Sequence, residues 1–472
     1  MTTSKPVYEA ISKAWAGETL EALKEYVRVP AKSRNFDSQW EKNGLLLAVL
    51  NQAADWGRAR FANAEFRLIQ KDGIPPALFV RIPATGGHTG KPAFFYGHLD
   101  KQPETTGWRK GLGPWTPVIE NGKLYGRGSV DDGYNYYLTL TALKALEDNG
   151  VAHPDVMCLF ETDEESGSAH LEDYIQGIAP EVGDPAFIAI ADLGASDYKR
   201  IWLTQSLRGV ISMTLNVRVL NTPSHSGNAS GIVPSSFRIA RMLLDRIEDS
   251  KTGELLVPEL NPAIPADIQA CIRELAEADD PRQQFDWAGS THSPCETAYD
   301  TILTNTWKPS LSVIGADGLP PCGNAGNLVR ESTSLRLSFR TPPATDAKAA
   351  LAAIIKTLTE NPPYGAEVTV TDTGAESGFE SSLPSGNLGD VLNASSRTHF
   401  GLDAGFTFCG ASIGTLPAFK RAFPNAPFVN TGALGPESNA HAPNECLNLA
   451  YAEKLTCVFA DLIAGIEQES AK

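Results

Sequence analysis

The chain has 472 residues, of which 42% are hydrophobic, and its formal net charge is −16. The length corresponds to about three domains, and the acidic surplus argues against nucleic acid or anionic membranes as partners, because no basic excess exists to neutralise phosphates. No uninterrupted apolar run is long enough to span a bilayer, and the N-terminus lacks the pattern of a signal peptide. Seven scattered cysteines form no C-x-x-C pair, so we expect a reduced, cytosolic protein.

Short apolar runs alternate with helical periodicity in the N-terminal part. The stretch PAFFYGHLD at residues 92–100 predicts a strand that ends in polar residues. YNYYLTLTALKALEDNG at residues 134–150 predicts a helix that a glycine terminates. Further strands are predicted at VMCLF (156–160), AFIAIADLG (186–194) and RIWLTQ (200–205). Strands that alternate with helices indicate an α/β domain with a largely parallel sheet.

The pattern changes after Leu207. VISMTLNVRVL at residues 210–220 alternates with period two, which predicts a strand with one wet face. Two amphipathic helices and three further strands follow, and Asp346 is the predicted cap of the second helix. The order β-α-β-β-α-β is typical of a ferredoxin-like sandwich. After a predicted linker at residues 375–386, helix and strand patterns return. We therefore predict one α/β domain, residues 1–206 and 388–472, interrupted by an inserted α+β domain, residues 207–387.

Polar residues with metal-binding chemistry lie at the end of one predicted strand and just before one predicted helix. His98 and Asp100 are two apart on an extended chain and therefore point the same way. A histidine bonded to a carboxylate is the usual arrangement of a metal ligand and its supporting partner, although an isolated H-x-D is more often a surface pair. Asp131 and Asp132 lie in a glycine-flanked turn before a helix, which alone is an ordinary turn signal.

More acids crowd the ends of the next two predicted strands. Glu164 and Glu165 follow VMCLF, Asp192 follows AFIAIA, and His441 lies in a Gly/Pro-rich loop. Taken singly, each acid is compatible with a solvated strand end. Three strands with His or acid at their carboxyl ends, where open α/β sheets place their sites, favour a common site. Two histidines and four carboxylates without thiolate suit two zinc, manganese or cobalt ions in a hydrolytic centre. The other acids near this cluster, Glu161 and Asp163, are expected to face solvent or support the loop.

Five motifs carry a resemblance to a known family. GHLDKQP, GRGSVDD, ETDEESGS, IAD and ESNAHAPNE, in this order, resemble the signature of the M20 family of co-catalytic zinc aminopeptidases and carboxypeptidases. The similarity is to its cytosolic non-specific dipeptidase and carnosinase branch. It implies a zinc-exopeptidase-like α/β catalytic domain with a mostly parallel central sheet. It also implies that the inserted ferredoxin-like domain is a lid and dimerisation domain of a cytosolic homodimer.

The resemblance implies roles for the polar residues of the α/β domain. Glu164 is implied as the general base that takes a proton from a metal-bridging water, and Asp100 as the residue that orients His98. Two divalent ions are implied, zinc first and manganese or cobalt as alternatives. The implied ligands are His98 and Asp192 for one ion and Glu165 and His441 for the other, with Asp131 between the two ions. The bond between Asp131 and Asp132 is expected to be cis.

The resemblance also implies a substrate site. A histidine such as His225, in a loop of small residues, is by itself more often structural than functional, but the matching histidine of related dipeptidases stabilises the oxyanion across a dimer. The implied substrate-binding residues are His225, Asn327, Arg340, Gly410 and Ser412. Two departures affect this pocket and no metal ligand. Where the family usually has Asp-Asp-Lys-Gly after the turn, this chain has Asp132-Gly133-Tyr134-Asn135, and the family's Gly-Gly-Ser-Ile-Pro is Gly-Ala-Ser-Ile-Gly at residues 410–414.

Three functions are compatible with these residues. The first is a di-metal exopeptidase that cleaves dipeptides or short peptides with a free C-terminal carboxylate, to which Arg340 is complementary. The second is an aminoacylase-like amidohydrolase of the same family that acts on N-acyl amino acids. The third is a non-catalytic homologue used for binding or assembly, which the complete ligand set and Glu164 disfavour.

Overall fold

A computed structural model describes residues 2–412 and 414–467, which form two compact units. Among the described residues, the first unit comprises 2–205, 381–407 and 414–467, and the second comprises 206–380 and 408–412. The helices of the first unit are α1 (Lys5–Trp15), α2 (Glu18–Arg28), α3 (Trp40–Asn43), α4 (Leu45–Arg58), α5 (Gly133–Asp148), α6 (Leu171–Val182), α12 (Gly386–Phe400), α13 (Thr415–Ala422) and α14 (Leu449–Ala464).

The strands of the first unit build a six-stranded sheet and a smaller one. They are β1 (Glu65–Lys71), β2 (Ile74–Ile82), β3 (Ala93–His98), β4 (Val118–Glu120), β5 (Lys123–Tyr125), β6 (Val156–Glu161), β7 (Phe187–Ile190), β17 (Phe428–Asn430) and β18 (Cys446–Asn448). The large sheet has the order β1-β2-β6-β3-β7-β17, with the β6/β3, β3/β7 and β7/β17 pairs parallel. β18, β5 and β4 form the small antiparallel sheet.

The large sheet is the core of the first unit, because its central strands are apolar without alternation. Every residue of β3 and β6 is buried, as a sheet covered on both faces requires. α5 is buried along almost its whole length and packs against α14 and β3. The predicted α/β architecture with a mostly parallel central sheet is confirmed.

The second unit is an antiparallel sheet with helices packed on one face. Its elements are β9 (Gly209–Arg218), β10 (Ser224–His225), α7 (Ser226–Ala229), α8 (Ser236–Leu244), α9 (Ala266–Ala278), α10 (Ala298–Trp307), β11 (Ser310–Asp317), β12 (Leu328–Val329), β13 (Ser332–Thr341), α11 (Ala347–Thr359), β14 (Glu367–Glu376) and β15 (Phe379–Glu380). The order β11-β13-β9-β14, antiparallel throughout, is that of a ferredoxin-like sandwich. α8 and α11 pack on this sheet, and the Asp346 side chain caps α11 as predicted.

The observed boundaries differ from the predicted ones at three places, of which the first is Ser206, which belongs to the second unit. The chain passes between the units within β8 (Trp202–Leu207) and β16 (Gly405–Cys409). Residues 381–387 belong to the first unit, since the Ser381 backbone N–H donates to the Gln205 carbonyl. Residues 408–412 belong to the second unit, since the Arg208 N–H donates to the Cys409 carbonyl. The segment predicted as a linker also contains β15, which pairs with Ser206 and Leu207. Such long-range pairings leave no local sequence pattern.

Membrane-spanning helices were not expected from the sequence. Among the helices of the described residues, none combines the length and the apolar character that a bilayer crossing needs.

Candidate metal centre

The acidic cluster lies at the carboxyl edge of the large sheet. β3 lies between β6 and β7 and is parallel to both, so the three strands end on the same side. His98 is the last residue of β3 and is paired in register with Glu161. Glu164 and Glu165 follow β6, and Asp192 follows β7. The parallel pairing is therefore what brings these residues together.

Asp131 lies between the two histidines. Its Oδ1 is 3.1 Å from His98 Nε2, and its Oδ2 is 3.0 Å from His441 Nε2. His98 Nε2 is also 3.5 Å from an Asp192 oxygen, and His441 Nε2 is 3.2 Å from a Glu165 oxygen. One carboxylate thus faces a histidine–carboxylate pair on each side. The bond between Asp131 and Asp132 is cis, as predicted.

Asp100 connects the segment after β3 to the loop after β6. Its carboxylate is 3.3 Å from His98 Nδ1 and accepts the backbone N–H groups of Glu164 and Glu165 at 3.3 and 3.1 Å. The side chain is completely buried. Asp100 therefore fixes the ring of His98, whose Nδ1 also lies 3.2 Å from the Asp100 backbone carbonyl, and its carboxylate fixes the backbone of both glutamates. A neighbour of Asp100 that sequence reasoning missed, Gln102, donates to Glu165 Oε2.

Asp132 was not among the predicted ligands, but it lies inside the cluster. Ligand atoms of His98, Asp132 and Asp192 lie within 4.8 Å of one another, as do those of His98, Asp131 and Glu165. Asp132 Oδ2 accepts the backbone N–H of His98 and the Asn135 amide. A Cβ at Gly97 would lie 2.5 Å from this oxygen, so only glycine admits the carboxylate. These bonds assign Asp132 to holding β3, while Asp131 faces both histidines.

Burial and mutual repulsion shift the ionisation of the acids. Burial, reinforced by Asp131, raises the pKa of Glu165 to about 7 and that of Asp192 to about 6. Burial also raises the pKa of Glu164 well above its usual range. Burial opposes ionisation of Asp131 too, but hydrogen bonds from His441 and His98 hold its pKa well below its usual range. Asp131 is therefore the acid that stays ionised.

The histidines respond in the opposite direction. Hydrogen bonds to Asp131 and Glu165 raise the pKa of His441 to about 11. Burial alone would lower the pKa of His98, but its bonds to Asp100, Asp131 and Asp192 raise it well above its usual range. Protons on both rings thus balance the acids. Oδ1 of Asp132 and Oε1 of Glu165 remain buried without a hydrogen-bond partner. Unsatisfied carboxylate oxygens beside two imidazoles are a donor set that fits divalent cations.

The remaining acids of the ETDEESGS motif support the loop and do not face solvent. Glu161 and Asp163 are completely buried. Glu161 accepts hydrogen bonds from the hydroxyls of Tyr96 and Ser168, and Asp163 lies 2.8 Å from the Arg34 guanidinium. Of the two alternatives that the sequence left open, only loop support agrees with this burial.

Two of the predicted substrate residues are neighbours in the second unit. β10, which ends at His225, pairs with β12, and the Ser226 N–H donates to the Asn327 carbonyl. The His225 ring is exposed, and its Nδ1 accepts the N–H of Gly227. The imidazole therefore lies on a short two-stranded antiparallel pair, whose other strand, β12, follows Asn327 directly.

The other three predicted substrate residues meet around a pair of arginines. Arg340 Nη1 donates to Ser412 Oγ at 2.8 Å, and that hydroxyl donates to the Arg208 carbonyl at 2.6 Å. Arg208, which sequence reasoning missed, donates from Nε to the Gly410 carbonyl at 2.8 Å. Burial and the neighbouring Arg340 lower the pKa of Arg208 to about 10. Two guanidinium groups side by side favour an anion. Ile413 of the same motif lies outside the described residues.

The sequence matches one family model over most of its length. Residues 94–465 match Peptidase family M20/M25/M40. The chain belongs to this family. The match includes all the motifs on which the resemblance rested as well as the inserted unit, and it identifies the chain as a peptidase-type hydrolase.

Named relatives of this M20 protein include dipeptidases. The Cys-Gly metallodipeptidase dug1 of Schizosaccharomyces pombe is 24% identical over 98% of both chains. The cysteinylglycine-S-conjugate dipeptidase of Corynebacterium striatum is 24% identical over 73% of this chain and 74% of that protein. The crystal structure of human carnosine dipeptidase 1 superposes with a TM-score of 0.72 at 20% identity and covers 99% of both chains. The predicted branch of the family is confirmed by these names.

Cation binding by the cluster is expected to release protons. Because the pKa of His441 is about 11 without metal, its ring is protonated at neutral pH and must lose that proton to become a ligand. Cation affinity should therefore rise with pH. More protons should be released at pH 6 than at pH 8, because at pH 6 Glu165, with a pKa of about 7, is mostly protonated and Asp192, with a pKa of about 6, is partly protonated. Calorimetry in buffers of different ionisation enthalpy measures the number of protons released when a cation binds. His441→Gln should release about one proton fewer than the wild type. His292→Gln, at an exposed histidine, is the control and should match the wild type. Equal proton release by all three proteins would contradict the assignment of His441 as a ligand.

Proposed function

We propose that this M20 protein is a di-metal exopeptidase that hydrolyses the peptide bond of dipeptides or similarly short peptides. The observation that carries the proposal is the position of Asp131, whose two oxygens face His98 at 3.1 Å and His441 at 3.0 Å. A carboxylate between two histidines is the arrangement that a bridging ligand requires. The dipeptidase names of relatives along the whole chain support the substrate class.

The proposed ligands divide into two sets that share Asp131. His98 and Asp192 hold one divalent cation, and Glu165 and His441 hold the other. Imidazole and carboxylate without thiolate favour zinc, with manganese or cobalt as alternatives. When bound, such cations supply Lewis-acid polarisation of the scissile carbonyl and lower the pKa of the attacking water. Asp100 orients His98 through Nδ1, and its bonds to two backbone N–H groups place the glutamates.

Glu164 is the proposed general base. It follows the same strand as Glu165, and its Oε2 lies 3.9 Å from His98 Nε2, so it borders the cluster without pairing closely with it. Burial raises its pKa well above its usual range, which makes its carboxylate a better proton acceptor. It takes the proton of the attacking water and then gives it to the leaving amine. The adjacent residue Glu165 is left to bind metal.

The second unit is the proposed lid, and it carries the groups that recognise substrate. Arg340 and Ser412, which the Nη1–Oγ hydrogen bond holds side by side, bind the free C-terminal carboxylate of the peptide together with the Gly410 loop, because a guanidinium is complementary to a carboxylate. The neighbouring Arg208 adds positive charge to this site. His225 and Asn327 contact the reacting carbonyl, with His225 as the oxyanion donor. Because the proposed substrate must have a free C-terminal carboxylate, the proposed activity is that of a carboxypeptidase in the broad sense.

We further propose a cytosolic homodimer that forms through the second unit. β11 is an edge strand of the second unit's sheet, and its Val313 and Ile314 side chains are 49% and 63% exposed. An apolar edge strand with unpaired backbone groups invites pairing with a second copy. All seven cysteines, which lie in the described residues, are free, as a reducing compartment requires.

Hydrolysis of a small panel after chelation and metal replacement tests the proposed function. We expect cleavage of plain dipeptides and of carnosine that chelation abolishes and added zinc, manganese or cobalt restores. A dipeptide amide should resist cleavage, because Arg340 and Ser412 then lose their anionic partner. Cleavage of acetyl-amino acids alone would move the protein to the aminoacylase-like activity. No metal-dependent cleavage of any compound would favour the non-catalytic alternative and contradict the proposal.

Replacement of Glu164 separates catalysis from metal binding. Glu164→Gln should keep the metal content of the wild type, because Glu164 is not a proposed ligand, and should lower kcat by about 10²–10⁴-fold. Elemental analysis and steady-state kinetics measure the two quantities. Glu9→Gln, an exposed residue of α1, is the control and should leave both unchanged. A Glu164→Gln enzyme with near-normal kcat would show that another group takes the proton.

A charge on the edge strand tests the dimer. Ile314→Lys should convert the protein to monomers, because a buried interface would have to accept two unpaired ammonium groups. Light scattering coupled to size-exclusion chromatography measures the mass. Ile119→Lys, on the 44%-exposed Ile119 of β4 in the first unit, is the matched control and should remain dimeric. A wild-type monomer with full activity would refute the dimer and the role of His225 across it.

A further inference from the structure

The segment that follows β3 contains a completely buried lysine. Lys101 is adjacent to Asp100, and its Nζ donates at 2.7 Å to the carbonyls of both Tyr26 and Val29. These carbonyls lie at the end of α2, and each also accepts one backbone N–H, from Val29 and Ala31 respectively. Lysine is rarely buried without such partners. The side chain therefore fastens the end of α2 to the segment that carries His98.

This contact does not depend on the charge of the lysine. Complete burial lowers the pKa of Lys101 well below its usual range, although Glu445 acts in the opposite direction. An ammonium has three hydrogens and an amine has two, so both forms satisfy two carbonyls. The following argument therefore rests on hydrogen-bond geometry and packing alone.

Tyr26 joins the same segment from α2. Its hydroxyl donates to the carbonyl of Leu99 at 3.2 Å, between His98 and Asp100. The Lys101 Nζ lies 3.8 Å from the centre of the Tyr26 ring. Only 1% of Tyr26 is exposed, so its ring is fixed by packing. The backbone from Leu99 to Lys101 is thus held by two side-chain contacts with the end of α2.

The Tyr26 ring also fills the space beside the Asp131–Asp132 turn. A Cβ at Gly133 would lie 2.0 Å from Tyr26 Cε1 and 2.6 Å from Cδ1 and Cζ. A buried aromatic ring cannot yield by that distance without moving the backbone. Gly133 follows Asp132 directly and begins α5.

We propose that Lys101, Tyr26 and Gly133, together the Lys101 brace, hold the His98–Asp100 segment and the Asp131–Asp132 turn at the spacing that sets the affinity of the metal centre. The proposal rests on the proposed function, because it assigns positioning residues to that centre. The chain has a lysine after Asp100 and a glycine after Asp132. The Lys101 amino group therefore connects the segment after β3 to the end of α2, and the ring of Tyr26 packs against the turn at Gly133.

Metal affinity distinguishes positioning from simple stabilisation. Dissociation constants for zinc and cobalt, measured by competition with a chelator, should rise about tenfold in Lys101→Met, which keeps the chain length and removes the donors. Tyr26→Phe, which keeps the ring and removes the bond to Leu99, should shift them in the same direction by less. The absorption bands of the cobalt-loaded protein should change in both. Val49→Ala, in the buried face of α4, is the control that lowers the Tm of the metal-free protein without changing affinity.

A double-mutant cycle tests the packing contact. Gly133→Ala should weaken cation binding because its methyl group displaces the Tyr26 ring, and the loss should be smaller when Tyr26→Ala is already present. Losses that simply add would contradict the contact. The proposal is wrong if Lys101→Met and Tyr26→Phe lower Tm as Val49→Ala does but bind cations within twofold of the wild type. A wild-type protein that binds no divalent cation would instead refute the proposed metal centre itself.

Discussion

Like charge at one sheet edge is the constraint on which the rest of the site depends. Asp131, Glu165 and Asp192 surround His98 in surroundings that exclude most water. Two unit charges 4 Å apart repel by about 4 kcal/mol at the effective dielectric of a protein surface, so the acids cannot all ionise together without compensation. Protons on the histidines provide part of it, and divalent cations are the compensation for which these donors are suited.

The scaffold keeps the charged groups together through buried, directional hydrogen bonds and close packing. The parallel pairing of β3 with β6 and β7 brings three strand ends to one edge. Asp100 then connects two of these ends by accepting backbone N–H groups, and Gly97 leaves space for the carboxylate that holds β3. Because these contacts are buried and directional, they define ligand positions before any cation binds, which is how preorganised sites gain affinity.

The second unit differs from the first in fold and in the charge of its predicted site residues. Its predicted substrate residues centre on two guanidinium groups, Arg208 and Arg340, and on the hydroxyl of Ser412. The first unit carries the acidic cluster, whose donors suit cations, and the second carries this pair of guanidinium groups, which suits an anion.

The sequence by itself determined the features that depend on local patterns. The apolar runs of β3 and β6, the alternation in β9 and the Asp346 cap were predicted because burial, pleat and helix ends act within a few residues. Five ordered motifs sufficed to identify the family. Only the tertiary structure decided which acids are buried and which partners they have. Glu161 and Asp163 proved fully buried, Arg208 meets the Gly410 loop, and Lys101 and Gly133 both adjoin Tyr26. These partners lie far apart along the chain, and no local pattern encodes a contact that forms only when the whole domain has folded.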